Sequence, residues 1–153
     1  MVVGCPFCAI AAGRLEASVV AETDAALAFL DLRQAVPGHV LVVPRQHVED
    51  IYAIDPALAG DVMQLGVRVA HALRTVFDSP GLNLWQSNGH AGGQEVAHFH
   101  LHVQPRRVAD GLLRVYPHGL PAPTPRDALD RMAERIRLSL PPDGASPAPR
   151  SAS

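Results

Sequence analysis

Residues 98–103 read His-Phe-His-Leu-His-Val, a strict alternation of imidazole and apolar side chain. Successive side chains of a β-strand point to opposite faces. Period two therefore predicts a strand with His98, His100 and His102 on one face and Phe99, Leu101 and Val103 on the other. The apolar face belongs on a core and the imidazoles toward a polar site. Stacking three imidazoles costs packing and invites mutual repulsion once they protonate, so a purely structural role is disfavoured. Two chemistries remain. Neighbouring histidines on a strand can chelate a catalytic metal, because an H-x-H pair reaches one ion. Alternatively, one imidazole is a nucleophile or base positioned by its neighbours.

The rest of the chain supplies a frame for such a strand. Val19–Glu22 and Ala25–Leu30 are apolar runs around Thr23-Asp24, read as strand-turn-strand, and Val40–Val43 is a β-branched run closed by Pro44. Asp55-Pro56 has the form of an N-cap followed by Pro at the first helical position. Leu58, Val62, Leu65, Val69, Leu73 and Val76 then recur at helical spacing until Ser79-Pro80-Gly81. Leu82–Trp85 reads as a strand, with Trp85 in the core. Thr124-Pro125-Arg126-Asp127 is expected to cap a last helix striped by Leu129, Met132, Ala133, Ile136 and Leu140. The expected architecture is an α+β domain over residues 1–140, its sheet mostly antiparallel, with a long central helix and a C-terminal helix. Residues 141–153, PPDGASPAPRSAS, have the composition of a disordered tail.

Between the Trp85 strand and the histidines lies Asn88-Gly89-His90-Ala91-Gly92-Gly93. Glycines permit close backbone approach, and exposed N–H groups there suit an anion. A loop of this kind next to a histidine strand favours phosphate chemistry over a plain turn. His90 is read as solvent-exposed. Cys5 and Cys8 bracket Pro6-Phe7 in one tight turn. Neither a secretory signal nor a lipoprotein cleavage box is recognisable, so the expected compartment is the cytoplasm, where a C-x-x-C pair binds metal or does redox work. No strand precedes Cys5, which favours metal over a thioredoxin-type dithiol; two further ligands are then required. The net charge of −2 and pI near 6.4 offer no general attraction to nucleic acid or anionic lipid. No apolar run approaches the ~20 residues of a spanning helix, so neither nucleic acid nor membrane is expected as a partner.

His98–Gln104, H-F-H-L-H-V-Q, resembles the signature of the histidine triad (HIT) superfamily, and its surroundings resemble the bacterial, zinc-containing branch. Those surroundings are Cys5-Pro-Phe-Cys8, Phe29-Leu-Asp31, Pro37-Gly-His39-Val-Leu-Val-Val-Pro44 with His47, Ala91-Gly-Gly-Gln-Glu-Val96, Pro105-Arg106 and Asp110-Gly111. The resemblance covers about residues 5–140 and implies a nucleotide hydrolase or nucleotidyl transferase. Its substrate would be a purine nucleotide derivative, either a dinucleoside polyphosphate or a nucleoside phosphoramidate. It implies His100 as the nucleophile at the α-phosphorus, giving a nucleotidyl-histidine. His102 and His39 would contact phosphate oxygens or assist the leaving group. Ser87 stands where many relatives carry Asn or Gln, with Asn88 beside it to take over that contact. Gln94 and the backbone near Val96 would line the phosphate site. Asp31 would accept from the ribose hydroxyls, and Phe29 and Ile10, rather than Leu30, would wall the base.

The same resemblance names the missing ligands. Cys5, Cys8, His47 and His98 would hold a structural Zn2+ whose four protein ligands leave no open position. It also implies a homodimer built on the long helix and its adjoining strand. Two other readings differ in class. A catalytic metal on His98, His100 and His102 would leave Cys5, Cys8 and His47 unexplained. A zinc-stabilised nucleotide-binding regulatory module would bind without turnover.

Overall fold

The structure is a computed structural model, and it describes residues 4–112 and 118–142. They fall into two compact units, one running through Val108 and one beginning at Ala109. The expected tail lies outside the described residues from 143 onward.

The first unit carries α1 (Pro6–Ala11), β1 (Val19–Glu22), β2 (Ala26–Leu30), β3 (Val40–Pro44), α2 (Pro56–Phe77), β4 (Gly81–Trp85) and β5 (Leu101–Arg106). The five strands form one sheet in the order β1-β2-β3-β5-β4, and every adjacent pair is antiparallel. Together with the helices this is the expected α+β architecture. Every residue of β3, and all of β2 except Leu30, is buried. Such continuous apolar runs are what a strand covered on both faces requires. One face packs Ala26, Ala28, Val40, Val42, Leu101 and Val103 against α2. The other gathers Leu27, Phe29, Leu41 and Val43 around Phe7 of α1.

The long helix begins where the Asp-Pro pair predicts. Asp55 is the N-cap, its carboxylate accepting from the Ala57 N–H at 2.8 Å. Val62, Leu65, Val69 and Leu73 are buried, whereas Val76 is 71% exposed, so the stripe ends one turn early. Phe77 takes over its packing, and Asp78 stops the helix in a left-handed conformation. Gly66 is buried within the stripe; a Cβ there would stand 2.9 Å from Leu101 Cδ2, so the missing side chain lets α2 approach β5. At the other end of α2, Gly38 has φ +96° and its Cα faces the Phe77 ring, 2.5 Å from where a Cβ would sit.

Four expectations need correction. The Cys5–Cys8 turn is a short helix, α1, with Cys5 as its N-cap. The histidine strand starts late: β5 begins at Leu101, and residues 98–100 reach it as irregular chain, with Phe99 N–H donating to Val48 O at 2.6 Å. The alternation survives this, because Phe99 joins Leu101 and Val103 in the α2-facing core. Trp85 is not a core residue, as described below. In the second unit, α3 (Arg126–Leu138) has Pro125 as N-cap with no capping side chain, so Thr124 does not act as expected. No residue of α3 is buried, and Leu140 lies beyond its end. Asp127 instead pairs one turn on with Arg131 at 2.8 Å.

Candidate functional site

The three histidines point away from the α2 core and each finds a different partner. His98 is fully buried, and its Nε2–H donates to Pro44 O at 2.9 Å at the end of β3. With that nitrogen protonated, the Nδ1 lone pair faces Cys5 Sγ at 3.3 Å and Cys8 Sγ at 3.7 Å. His47, three residues past β3, brings Nδ1 to 3.4 Å from Cys8 Sγ. All four ligand atoms lie within 4.8 Å of one another. A tetrahedral zinc with two thiolates and two imidazoles has ligand–ligand edges of about 3.3 to 3.8 Å, so the donor set and its spacing fit that ion. Burial pushes His98 down to about 4, which keeps its imidazole neutral as ligation requires. Burial also pushes the Cys5 thiol up, so a cation is what would make it a thiolate. The Cys5 sulfur accepts from Cys8 N–H at 3.5 Å, which brings the two sulfurs to one side of α1.

His100 is held by a neighbour's backbone. Its Nδ1–H donates to His98 O at 2.6 Å, leaving the Nε2 lone pair free. The Phe7 ring meets its flank edge-on at 5.3 Å and 73°. A buried imidazole with a fixed tautomer and an unprotonated Nε2 has the form of a nucleophile.

His102, on β5, bonds through Nδ1 to His39 Nε2 at 2.9 Å. His39 Nδ1 in turn lies 3.5 Å from Asp31 Oδ2, completing a chain of three titratable groups. Burial is the main reason that His39 titrates below its ordinary value, opposed by the Asp31 charge. Burial, then His100, then His39 push His102 down to about 3. Gln34 frames the turn that carries this chain. Its Oε1 accepts from the N–H groups of Gly38 and His39, and its Nε2 donates to the carbonyls of Asp31 and His39.

Trp85, read from sequence as core, is half-buried and belongs to this cluster. Its ring is parallel to His102 at 4.3 Å and 3°, and lies 5.3 Å and 25° from His39. The reason is register: Trp85 and His102 are direct partners across β4 and β5. Phe7 carries no such signal in the sequence: its position between two cysteines does not announce ring contacts with both His98 and His100.

The remaining predicted residues divide. Phe29 is 3% exposed and packs on Phe7 at 5.5 Å, with Ile10 and Val96 partly buried around the same cluster. The side chain of Asp31 also accepts from Arg33 N–H at 2.9 Å. The amides of Asn88 and Gln94 are engaged at both ends. Asn88 accepts from Ile51 N–H at 2.8 Å and donates to Gln86, while Gln94 accepts from Gly89 N–H at 2.7 Å and donates to Glu49 O at 2.6 Å. Both brace the glycine-rich loop, whose His90 is exposed as expected. Ser87 is half-buried at the start of this loop.

This arrangement defines a histidine-triad centre beside a Cys2His2 cluster, and comparison with known proteins agrees. The HIT domain profile matches residues 12–109. "Protein hit" of Bacillus subtilis strain 168 is 40% identical over 102 residues, 67% of this chain and 70% of its own length. The adenosine 5'-monophosphoramidase hnt1 of Schizosaccharomyces pombe is 32% identical over 102 residues, 67% of this chain and 74% of its own. A crystal structure of a Zn-bound histidine triad family protein from Mycobacterium smegmatis superposes with TM-score 0.67 at 32% identity, covering 89% of this chain and 96% of that one. The chain belongs to the HIT family.

Proposed function

We propose that this chain is a nucleotide hydrolase or nucleotidyl transferase acting at the α-phosphate of a purine nucleotide derivative, through a nucleotidyl-histidine on His100. The observation that carries this reading is the 2.6 Å bond from His100 Nδ1–H to His98 O, which frees Nε2. In the first step the Nε2 lone pair forms a bond to phosphorus while the bond to the leaving group breaks. The leaving group departs with that electron pair and takes a proton from His102 Nε2. Water then gives a proton to His102 Nε2 and attacks the same phosphorus, the N–P bond breaks with its electron pair returning to His100 Nε2, and nucleoside monophosphate is released. Gln94 and Asn88 hold the loop in place, so Ser87 and the backbone near Val96 are left to meet the phosphate oxygens. Asp31 takes the ribose, and Ile10 and Phe29 border the base. Kinship with a phosphoramidase supports phosphoramidates as one substrate class.

Cys5, Cys8, His47 and His98 would hold a structural Zn2+, which supplies positioning through His98 rather than reactivity. A zinc-bound relative supports this. The protein is also proposed to act as a homodimer in the cytoplasm. Met63 and Val67 of α2 and Leu84 of β4 are exposed, and β4 is an edge strand. Between these two elements runs a groove of about 370 Å³ lined by Val67, Ala70, Leu82 and Leu84. Among the described residues no helix is long and apolar enough to cross a membrane.

The test follows nucleoside monophosphate release from adenosine phosphoramidate and from diadenosine tetraphosphate by wild type and His100→Ala. Release by wild type that vanishes in the variant is expected. Binding of nucleotide without release would replace this reading with a regulatory module.

A further inference from the structure

Trp85 is the chain's single tryptophan and has no part in the chemistry above. The His39 and His102 rings are joined at 2.9 Å and inclined by only 22°, so they lie nearly side by side in one plane. The indole is parallel to one and nearly so to the other, and its face therefore spans the pair. Such a face attracts cations. The titratable groups that face the pair are Asp31, beyond β2, and His100, before β5. β3 and β4 carry no titratable residue, so the indole is what β4 offers. Burial opposes a proton on either ring; Asp31 and the Arg33 backbone favour one on His39, and the indole face lies where it would favour one on either ring.

We propose that Trp85 is a positioning residue acting through the His39–His102 pair: its face keeps the two rings coplanar and stabilises the extra proton that the pair carries when a phosphate group is bound. The inference rests on the reading of this site as a phosphoryl-transfer centre. With the extra proton, His39 donates from Nδ1 to Asp31 and from Nε2 to His102 Nδ1, and His102 presents Nε2–H outward. When the leaving group removes the Nε2 proton, the proton between the rings passes from His39 Nε2 to His102 Nδ1. The pair is then neutral, with one proton transferred and none created.

The experiment uses the full chain with Trp85→Leu, which keeps apolar bulk but no π face, and Trp85→Phe, which keeps a smaller face. With adenosine monophosphate bound, the imidazole C–H resonances of His39 and His102 are titrated by NMR. The midpoint is expected about one pH unit lower in Trp85→Leu than in wild type, with Trp85→Phe between them. In turnover, kcat should fall roughly tenfold in Trp85→Leu with KM nearly unchanged. The alkaline limb should move to lower pH, and Trp85→Phe should restore most of the rate. An unshifted titration, a loss confined to KM, or a Phe variant as impaired as the Leu variant would overturn the inference. If circular dichroism shows Trp85→Leu unfolded, the Phe variant decides alone: a midpoint below wild type supports the role, and an equal midpoint overturns it. Absence of release by wild type would sink the proposed function, while the titration with adenosine monophosphate still decides the role of Trp85.

Discussion

Two clusters grow from the same short segment, and they use histidine in opposite ways. In the Cys5–Cys8–His47–His98 cluster, the backbone carbonyl of Pro44 takes the outer N–H of His98 and leaves its lone pair facing sulfur. In the Asp31–His39–His102 cluster, the ring nitrogens that meet are each other's partners, 2.9 Å apart, and a carboxylate stands at the far end. The first arrangement pins one tautomer and presents a permanent electron pair. The second leaves a proton that can sit on either ring. What divides an ion-holding imidazole from a proton-carrying one is the group that occupies its second nitrogen. His100 stands between them and borrows from the first, since its own tautomer is pinned by the carbonyl of His98.

The contrast predicts separable failures. His100→Ala should cut nucleoside monophosphate release by at least about a thousandfold, while metal content and melting temperature stay at wild-type values. Cys8→Ser should do the reverse in order of cause: metal analysis should find zinc lost, and the melting temperature should fall by about 10 °C or more. A Cys8→Ser chain that keeps both its zinc and its melting temperature would remove the first cluster from the comparison. Asp31→Asn leaves the zinc ligands untouched and weakens the proton chain together with the proposed ribose contact, so a drop in kcat of about ten- to a hundredfold with a raised KM is expected, with zinc retained.

A titration of stability sharpens the same contrast. Burial above all holds His102 near 3 in the folded protein, against an ordinary value of about 6.5 in the unfolded chain. Between those limits the unfolded state binds more protons, so stability rises with pH and is lost as pH falls from about 6.5 toward 3. Urea unfolding across that window should be less pH-dependent in His102→Gln than in wild type. The smallest effect belongs to a pair outside both clusters: Arg33 and Glu95 meet at 3.3 Å but are 86% and 79% exposed. Arg33→Ala should change unfolding free energy by less than about 0.5 kcal/mol.

Much of this is legible in the sequence alone. The period of α2, its Asp55-Pro56 start and the buried runs of β2 and β3 are local patterns, and local patterns survive folding. So is the alternation that separates Phe99, Leu101 and Val103 from the histidines. Three things were not legible, for distinct reasons. α1 has only six residues, and its cap is a cysteine whose sulfur accepts from Cys8 N–H, so no periodic signal announces it. Trp85 could be matched to His102 only once β4 and β5 were in register, which depends on pairing between distant segments. The amides of Asn88 and Gln94 reach Ile51, Gln86, Gly89 and Glu49, and a sequence does not say which backbone or side-chain partner such a group will find.

The turn in front of His39 has a consequence of its own. Position 38 excludes a side chain twice over, by its φ of +96° and by the Phe77 ring 2.5 Å from where a Cβ would stand. The end of a 22-residue helix is thus the backstop of the loop that aims His39. Whittling that backstop, as in Phe77→Ala, would leave the loop free to drift while the sheet stays intact. Such a chain should lose activity on warming well before it melts, and the interval between the two temperatures would measure how firmly the helix holds the loop.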